Sequence, residues 1–461
     1  MRVLFALPMI GSKIFWHQGI ASVATFCESK GHIVDLLELY ETNNTALDNA
    51  ISVFNPDVIA FTANSHQVPY VKNFISYIKN EYSHVFVILG GVAVTIDPES
   101  VINQIDADAF CRGEGEAPFV QYLEKLDSGF SGENYKLPNF SYKKNINPCT
   151  YFVENLDSLP IARRSLFSFY RNADKSENLP FGVRFLFCRG CPFNCTYCCN
   201  KGLKDFFPSI KNYVRWPSPE RAVEEIALLS DQFKFNSFVI DDDIFTLDNK
   251  WTQRFCEVYP NNLKDKKFEV NIRIGTVTLE LLKALKDCGC NLVKMGLESG
   301  DEKIRENVLN RKITNEMIKD TVDMIRKAGL DIHTFNMVGI PGETHASVIK
   351  TIRINRYINP KRLQVTIFYP YKNTQLGESC IKKGSVSSIE DSYFKKKVIK
   401  HENLSAVVIS MYAKFFKLFV YFGISRRKTF NELRTIAGSF LRDIPFGDQV
   451  IYYLKKFTIK K

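Results

Sequence analysis

Short apolar runs alternate with amphipathic stretches along the first 126 residues of the chain. Apolar runs of about four to eight residues predict buried strands, and the stretches between them repeat apolar residues at helical spacing. The predicted strands cover residues 2–7, 33–39, 57–62, 85–89 and 109–111, and the predicted helices cover 19–30, 45–54, 68–82, 98–104 and 117–126. This alternation predicts an α/β domain with a doubly wound parallel sheet, which binds ligands beyond the carboxyl ends of its strands.

A second series of alternating elements covers residues 179–375. Six apolar strands alternate with amphipathic helices, which predicts six parallel strand–helix units. Residues 127–178 show little periodicity and are predicted to be a linker, and residues 376–461 are rich in Lys and aromatic residues and mostly helical. The predicted strands of this series are 181–187, 237–241, 268–272, 292–295, 331–337 and 363–368, and its helices are 219–233, 249–259, 279–288, 301–308, 315–328 and 345–358.

The composition is that of an ordinary soluble globular protein, with 45% hydrophobic and 24% charged residues in 461. Twelve Cys in a chain of this length do not form a disulfide framework, and the N-terminal apolar run is too short for a secretion signal. We therefore expect reduced thiols and a cytoplasmic location. The net charge of +11 comes without a dense basic run interleaved with aromatic residues, so nucleic acid is not an expected partner and anionic substrates are mildly favoured.

Residues 404–424 form an apolar stretch long enough to cross a bilayer, and a basic run at 426–428 follows it. Lys414 and Lys417 lie near its middle, and each would cost a spanning helix about 3 kcal/mol. We therefore predict an amphipathic helix packed on the protein. The alternative is peripheral contact with a membrane interface beside the basic run.

The strongest chemical signal is Cys191-Pro-Phe-Asn-Cys195-Thr-Tyr-Cys198, directly after the first strand of the second series. Three thiolates can hold three irons of a [4Fe–4S] cluster and leave the fourth iron open, like a catalytic metal site that keeps one position free. Structural zinc is the alternative, but it requires four ligands, and no second C-x2-C follows. Cys188 and Cys199 flank the motif, either as spare ligands or as small packing residues.

This cysteine spacing, with Tyr197 before the last Cys, resembles that of the radical S-adenosylmethionine (SAM) superfamily. Segments 241–245, 296–300, 339–344 and 370–374 resemble the family's D-D-x-F, G-x-E-S-G, G-x-P-G-E-T and P-x-x-x-T motifs, in order and at strand ends. The resemblance implies a (β/α)6 partial TIM barrel with a [4Fe–4S] cluster at its mouth, held by Cys191, Cys195 and Cys198. It also implies that Tyr197 packs near the adenine of SAM.

The same resemblance implies the remaining SAM contacts. Asp242 and Asp243 are candidates for its ammonium group, with an acidic turn exposed to solvent as the alternative. Arg273 would pair with the SAM carboxylate or with a substrate anion, because a guanidinium binds carboxylates bidentately. Glu298 and Ser299 would bond the ribose or the methionyl group.

Residues 1–126 resemble the Rossmann-like cobalamin-binding domain that precedes many radical SAM domains. The likeness rests on Leu89-Gly-Gly91, Thr95, Pro98-Glu99 and Gly113-Glu-Gly-Glu116. Glycines without a β-carbon would let the backbone approach the corrin or its nucleotide tail. A doubly wound domain without ligand is the alternative. The residues implied to bind cobalamin are Ser65, Gly90, Gly91, Thr95, Gly113 and Glu114.

The chain departs from that family at one place. Many cobalamin domains carry D-x-H-x-x-G after the first strand, and the His binds cobalt, whereas this chain has Leu7-Pro-Met-Ile-Gly-Ser-Lys13. His17 and His66 are the nearby imidazoles. Segment 155–160 resembles the N-L-D-x-L-P connector of this class, and we expect the linker to pack across both domains.

The resemblance implies a cobalamin-dependent radical SAM enzyme that methylates an unactivated carbon, or phosphorus, through a 5′-deoxyadenosyl radical and methylcobalamin. The alternatives are a radical SAM cyclase or rearrangement enzyme without net methylation, and an iron–sulfur electron carrier or redox sensor. A small molecule, lipid or peptide is the expected substrate, a flavodoxin or ferredoxin the expected electron donor. Residues 376–461 are expected to cap the active site.

Overall fold

The computed structural model of the protein describes residues 1–10, 16–129, 136–143, 145–179, 182–207, 212–386 and 400–442, with side chains up to Ile436. The strands of the first sheet are β1 Arg2–Pro8, β2 Ile33–Leu39, β3 Val58–Thr62, β4 Phe86–Gly90, β5 Ala109–Cys111 and β6 Phe140–Ser141. Their order is β2-β1-β3-β4-β5-β6. β1 to β5 are parallel, and β6 pairs antiparallel with β5. The predicted doubly wound sheet is therefore confirmed.

Helices cover both faces of this sheet, because successive side chains of a strand point to opposite sides. The helices are α1 Gln18–Ser29, α2 Thr45–Phe54, α3 Val68–Glu81, α4 Val92–Ile96, α5 Pro98–Gln104 and α6 Glu116–Asp127. Phe5 and Ala60 pack in the core that includes α1 and α6, and Leu4 and Phe61 pack in the core that includes α2 and α3. The sequence did not predict α4, a single short turn of helix that begins directly after Gly91.

The segment between the two sheets, residues 127–178, contacts both of them. Arg163 forms an ion pair of 2.8 Å with Glu28 of α1. The neighbouring Arg164 is buried and lies 3.2 Å from Glu225, which belongs to the second strand–helix series. The helix of this segment, α7, covers Ser168–Arg171. These contacts hold the first sheet against the second.

The second sheet is fully parallel, and its strands follow one another in chain order. It is the predicted (β/α)6 partial barrel. The strands are β7 Val183–Phe185, β8 Ser237–Ile240, β9 Lys267–Ile272, β10 Cys290–Glu298, β11 Asp331–Val338 and β12 Arg362–Ile367. The helices are α8 Cys199–Phe206, α9 Pro219–Gln232, α10 Asn249–Val258, α11 Leu279–Asp287, α12 Asn315–Lys327, α13 His345–Ile358 and α14 Gln375–Lys382.

The helix predicted at 301–308 is different in the structure, where Ile304–Val308 forms a π-helix. The main-chain N–H of Leu309 donates to the carbonyl of Ile304, five residues back. Arg305 is fully buried there, and its guanidinium donates to the carbonyls of Ser299 and Ile313. A wider helical turn fits this buried side chain, which the apolar spacing of the sequence does not reveal.

The described C-terminal helices are α15 Ala406–Tyr421 and α16 Arg426–Arg442. Phe416 and Val420 of α15 are buried against Val338 and Leu363, on the outer side of β11 and β12. The prediction of a packed amphipathic helix is confirmed, but α15 does not cover the barrel mouth. In the part of the chain that the structure describes, no helix has both the length and the apolar character of a membrane span. Residues 387–399 and 443–461 of the predicted cap lie outside the described residues.

Candidate active site

The cysteine motif lies in the loop between β7 and α8, at the carboxyl end of the partial barrel. Cys191 and Cys195 are buried, and Cys198 is half-buried. The carboxylate of Asp242 fixes the start of the loop, because its Oδ1 accepts the main-chain N–H groups of Phe187 at 2.6 Å and Cys188 at 2.9 Å. The loop is therefore anchored to the end of β8 before its first candidate ligand.

Two guanidinium groups converge on the middle thiol of the motif. Nη1 of Arg273 and Nη1 of Arg311 each lie 3.9 Å from Sγ of Cys195. Arg273 also stacks on the ring of Phe193 at 3.5 Å. Paired cations at a buried sulfur fit a thiolate that carries negative charge into a metal cluster. No three His, Cys, Asp or Glu side chains within the described ranges already stand together as a metal-ligand set, so this fit rests on the loop and its cations.

The two flanking thiols lie in different surroundings. Cys188 is buried, and its Sγ lies 3.5 Å from the carbonyl oxygen of Gly190. Cys199 is exposed at the start of α8. Cys188 therefore has the placement of a packing residue, whereas Cys199 stays accessible beside Cys198.

A cavity of about 230 Å³ opens at the barrel mouth beside the cysteine loop. Tyr197 and Glu298 line it, and Arg311 connects them to the loop by donating to the Tyr197 hydroxyl at 3.2 Å and to the Gly296 carbonyl at 2.7 Å. Ser299 is fully buried outside this lining. The other lining residues are Phe335, Asn336, Met337, Gln364, Thr366, Ile367, Phe368, Tyr369 and Tyr371.

Glu298 has a left-handed backbone, with φ of +63°. This conformation is strained for any residue other than glycine, and it persists only where the surrounding structure holds it. Burial raises the pKa of Glu298, and the nearby Arg311 and Tyr197 oppose that effect. The strained turn thus holds the carboxyl group of Glu298 at the mouth cavity.

The three consecutive aspartates after β8 point to three different places. Asp241 forms ion pairs with Arg184 and Lys294 inside the barrel. Asp242 is fully buried at the cysteine loop, and burial raises its pKa to about 7. Asp243 is exposed and lines a second, larger cavity. The structure thus gives Asp242 a role in holding the loop, and the two proposed ammonium contacts do not share one site.

The larger cavity, of about 530 Å³, lies between the first sheet and the cysteine loop. Gly90, Gly91, Thr95, Gly113 and Glu114 all line it. The lining from the first domain continues with Phe5, His17, Gln18, Gly19, Ile20, Val23, Ala60, Phe61, Thr62, Ala63, Asn64, Gln67, Ile88, Val92, Cys111, Gly115, Glu116 and Phe119. The second domain supplies Leu186, Cys188, Arg189, Gly190, Asn200, Leu203, Phe207, Tyr213, Arg215 and Asp243.

Glycine is required at two turns of this cavity. Gly91 has φ of +99°, and a β-carbon there would lie 2.6 Å from Oγ1 of Thr62. Gly113 has φ of +72°, and its β-carbon would lie 2.7 Å from the ring of Phe207. Thr95 joins the two turns, since its hydroxyl accepts the N–H of Gly113 and donates to the carbonyl of Gly91, both at 2.9 Å. The two turns therefore form one fixed wall without side chains.

Other candidates near this cavity are placed differently. Ser65 is exposed and outside the lining, where Asn64 and Gln67 provide the polar side chains instead. His17 lines the cavity and caps α1, since its Nδ1 accepts the N–H of Ile20. His66 lies outside the lining, against Tyr369 and Tyr371 of the barrel.

Sequence reasoning missed two groups of functional side chains. No sequence motif distinguishes Arg311 from the other basic residues of the chain. Glu116 and its partner Arg189, at 2.6 Å, were also not selected. A signal for Glu116 existed, because it repeats the Gly-Glu step of Gly113 and Glu114.

Comparison with known proteins assigns both halves of the chain. The profile of the Radical SAM superfamily matches residues 185–354, and the profile of the B12 binding domain matches residues 15–123. The chain therefore joins a B12 binding domain to a radical SAM domain. Two solved structures that share its fold hold such groups, since TsrM was solved with cobalamin and a [4Fe–4S] cluster and OxsB with aqua-cobalamin and SAM.

Relatives of this radical SAM enzyme cover nearly all of its length. An uncharacterized methyltransferase of Pyrococcus horikoshii is 28% identical, over 90% of this chain and 92% of the relative. The anaerobic magnesium-protoporphyrin IX monomethyl ester cyclase of Rubrivivax gelatinosus is 23% identical, over 93% of this chain and 80% of the relative. The methyltransferase TsrM of Kitasatospora setae, solved with cobalamin and a [4Fe–4S] cluster bound, is 14% identical over 84% of this chain and 75% of that one, with a TM-score of 0.66, and shares the fold.

Proposed function

We propose that this chain is a cobalamin-dependent radical SAM methyltransferase that acts on an unactivated carbon or phosphorus of a metabolite. The observation that carries the proposal is the larger cavity, which joins the glycine turns of the cobalamin domain to the cysteine loop. A carrier domain and a radical domain that share one cavity can act on one substrate. The Pyrococcus relative, a methyltransferase over nearly the same length, supports this assignment.

When bound, the cluster supplies the electron that cleaves SAM reductively, and the corrinoid carries the methyl group. The residues of this chain bind and orient the cofactors. Cys191, Cys195 and Cys198 would hold the cluster, with Arg273 and Arg311 beside the middle sulfur. The guanidinium groups favour the thiolate and offset the charge of the cluster.

SAM would lie in the mouth cavity, against Tyr197 and Glu298. Arg311 holds Tyr197 in place and leaves the Glu298 carboxylate facing the cavity. The corrinoid would lie on the wall formed by Gly91, Thr95 and Gly113, whose tight turns only glycine can adopt at positions 91 and 113.

The proposed substrate is a small molecule, or one small group of a lipid or peptide, which would meet the aromatic side chains and amides of the mouth cavity beside SAM. A flavodoxin or ferredoxin is the electron donor that we propose, because reductive cleavage of SAM needs one electron from outside the chain.

Anaerobic reconstitution tests the proposal. The protein, loaded with iron, sulfide and hydroxocobalamin, should bind about one corrinoid per chain and release deoxyadenosine from SAM under reduction. With methyl-labelled SAM and candidate metabolites, the label should enter a product heavier by one methylene. A variant with Cys191, Cys195 and Cys198 changed to Ala is the control, and it should bind corrinoid without making deoxyadenosine.

The Rubrivivax relative is a cyclase, which favours one other candidate activity. The product would then carry no added methyl group. Deoxyadenosine with bound corrinoid but unlabelled product would favour this cyclase or rearrangement activity. An intact cluster with neither signal would leave an electron carrier or redox sensor.

A further inference from the structure

The carboxylate of Glu116 is buried and only half satisfied. The residue is 2% exposed and begins α6. Its Oε1 accepts the hydroxyl of Ser22 and a guanidinium N–H of Arg189, both at 2.6 Å. Its Oε2 is buried and has no hydrogen-bond partner among the described residues. Because Glu116 lines the larger cavity, a ligand there can supply the missing donor.

Arg189 connects this carboxylate to the cysteine loop. It lies two residues before Cys191, and its second guanidinium nitrogen lies 3.2 Å from Glu114. Its main-chain N–H and carbonyl pair with those of Arg215, whose guanidinium also contacts Glu114, at 2.5 Å. These charged side chains form the Glu–Arg link, which consists of Glu114, Glu116, Arg189 and Arg215.

We propose that the Glu–Arg link couples occupancy of the larger cavity to the order of the cysteine loop, with Glu116 binding a primary amide of the corrinoid. The inference rests on the corrinoid occupying that cavity, as the proposed function requires. Cobalamin carries several primary amides on its rim, and each offers N–H donors to a buried carboxylate oxygen. Glu116 then positions Arg189, and Arg189 positions the loop.

The coupling follows from the cost of an unsatisfied buried charge. A buried carboxylate oxygen without a donor destabilises its surroundings, so bound amide relieves that cost and fixes the other oxygen on Arg189. Any such coupling is reciprocal. Corrinoid should therefore bind more tightly when the cluster holds the loop, and the cluster should be lost more slowly when corrinoid is bound.

Two measurements on the full chain test this coupling. The first is the Kd of hydroxocobalamin for the protein with and without its cluster. The second is the rate of iron loss to a chelator with and without hydroxocobalamin. We expect the cluster to tighten corrinoid binding at least fivefold, the lower end of ordinary coupling. Glu116→Gln should reduce this factor to about one and weaken corrinoid binding about tenfold, because charged hydrogen bonds are the stronger ones.

The matched control is Glu220→Gln, which removes a carboxylate from the exposed Arg254–Glu220 pair outside both cavities. It should leave the Kd, the coupling factor and the iron-loss rate at wild-type values. Arg189→Lys serves if Glu116→Gln does not fold. The single ammonium group of Lys keeps the positive charge but cannot contact Glu114 and Glu116 together. We therefore expect the Kd of hydroxocobalamin without the cluster to stay the same and the coupling factor to fall.

The outcomes separate this inference from the proposed function. Wild-type coupling of one, or unchanged coupling in both Glu116→Gln and Arg189→Lys, overturns the inference while corrinoid binding and methylation stand. Absence of corrinoid binding in the wild-type protein overturns both. Loss of coupling in the link variants alone, with normal iron content after reconstitution, supports the inference.

Discussion

Arg311 lies 3.9 Å from the sulfur of Cys195, although 116 residues separate them in the chain. The guanidinium is almost fully buried and also contacts the Tyr197 hydroxyl. Arg311 therefore joins the middle cysteine to the mouth cavity. One fixed cation thus faces both the proposed cluster site and the proposed SAM site.

Replacing Arg311 by Met should make the cluster harder to reduce. A nearby cation stabilises the reduced, more negative cluster, and net charge is one of the factors that set cluster potentials. We expect the midpoint potential to fall by about 60 mV or more, which corresponds to a tenfold change in the ratio of redox states. A redox titration followed by EPR measures it.

The control for this experiment is Arg254→Met, which removes an exposed arginine paired with Glu220 and Glu257. Its potential should equal that of the wild type. An unchanged potential in Arg311→Met, with full iron content, would show that the guanidinium has no electrostatic effect on the cluster.

Gly91→Ala should abolish corrinoid binding. The β-carbon would lie within 2.8 Å of three atoms of Thr62 and Ala63, in addition to the cost of a left-handed alanine. Gly31→Ala is the matched control, since Gly31 has φ of +87° and no atom within 4 Å of its added β-carbon. It should lose about 1 kcal/mol of stability and keep its corrinoid. The measurements are the amount of corrinoid bound per chain and the Tm of each variant.

Stability should fall as pH rises because of Glu343. Burial, together with the neighbouring Asp301, raises the pKa of this carboxyl to about 8, although hydrogen bonds from the main-chain N–H groups of Gly339 and Ile340 oppose the shift. The folded protein keeps the proton between the ordinary pKa and about 8, whereas the unfolded chain releases it. The free energy of unfolding from this group therefore decreases by about 1.4 kcal/mol per pH unit in that window.

Glu343→Gln tests the assignment, because an amide resembles the protonated acid at every pH. The variant should match the wild type near pH 5 and exceed its Tm near pH 8, as measured by calorimetry. Glu257→Gln, at an exposed site, should leave the pH profile unchanged. A wild-type slope retained in Glu343→Gln would assign the pH dependence to another group.

Asp242→Asn should retain the cluster, whereas Asp242→Ala should lose at least half of its iron. The carboxylate accepts two main-chain N–H groups at the start of the cysteine loop, and an amide oxygen can accept both. Iron and sulfide content after reconstitution measures the effect. If Asp242→Asn kept its iron but lost SAM binding, the carboxylate would bind the SAM ammonium group, as its sequence motif implies.

The sequence predicts the strands and most of the helices because their apolar spacing is local information. Residues 33–39 and 45–54 match the structure at both ends, since β2 and α2 end where the apolar pattern ends. The helix predicted at 301–308 is a π-helix over Ile304–Val308 in the structure, because its form depends on one buried side chain, Arg305, and on the carbonyl groups that it contacts. Such tertiary contacts leave no periodic signal.

Among the residues of the candidate cofactor sites, some are predicted from sequence motifs and others only from tertiary contacts. Glu298 and Gly91 are predicted from family motifs, and in the structure each has a positive φ and lines a cavity. Arg311 and Arg189 act through ion pairs with residues far along the chain, so no local pattern selects them. The placement of Asp242 could not be predicted either, because three adjacent aspartates point to three surroundings.

The shared lining of the larger cavity bears on the order of events during biosynthesis. Residues up to Phe119 form one wall, and residues between Leu186 and Asp243 form the other. A nascent chain that has exposed only the first domain carries half of a corrinoid site. With the proposed corrinoid in this cavity, its capture belongs after translation of β8, when both walls are present.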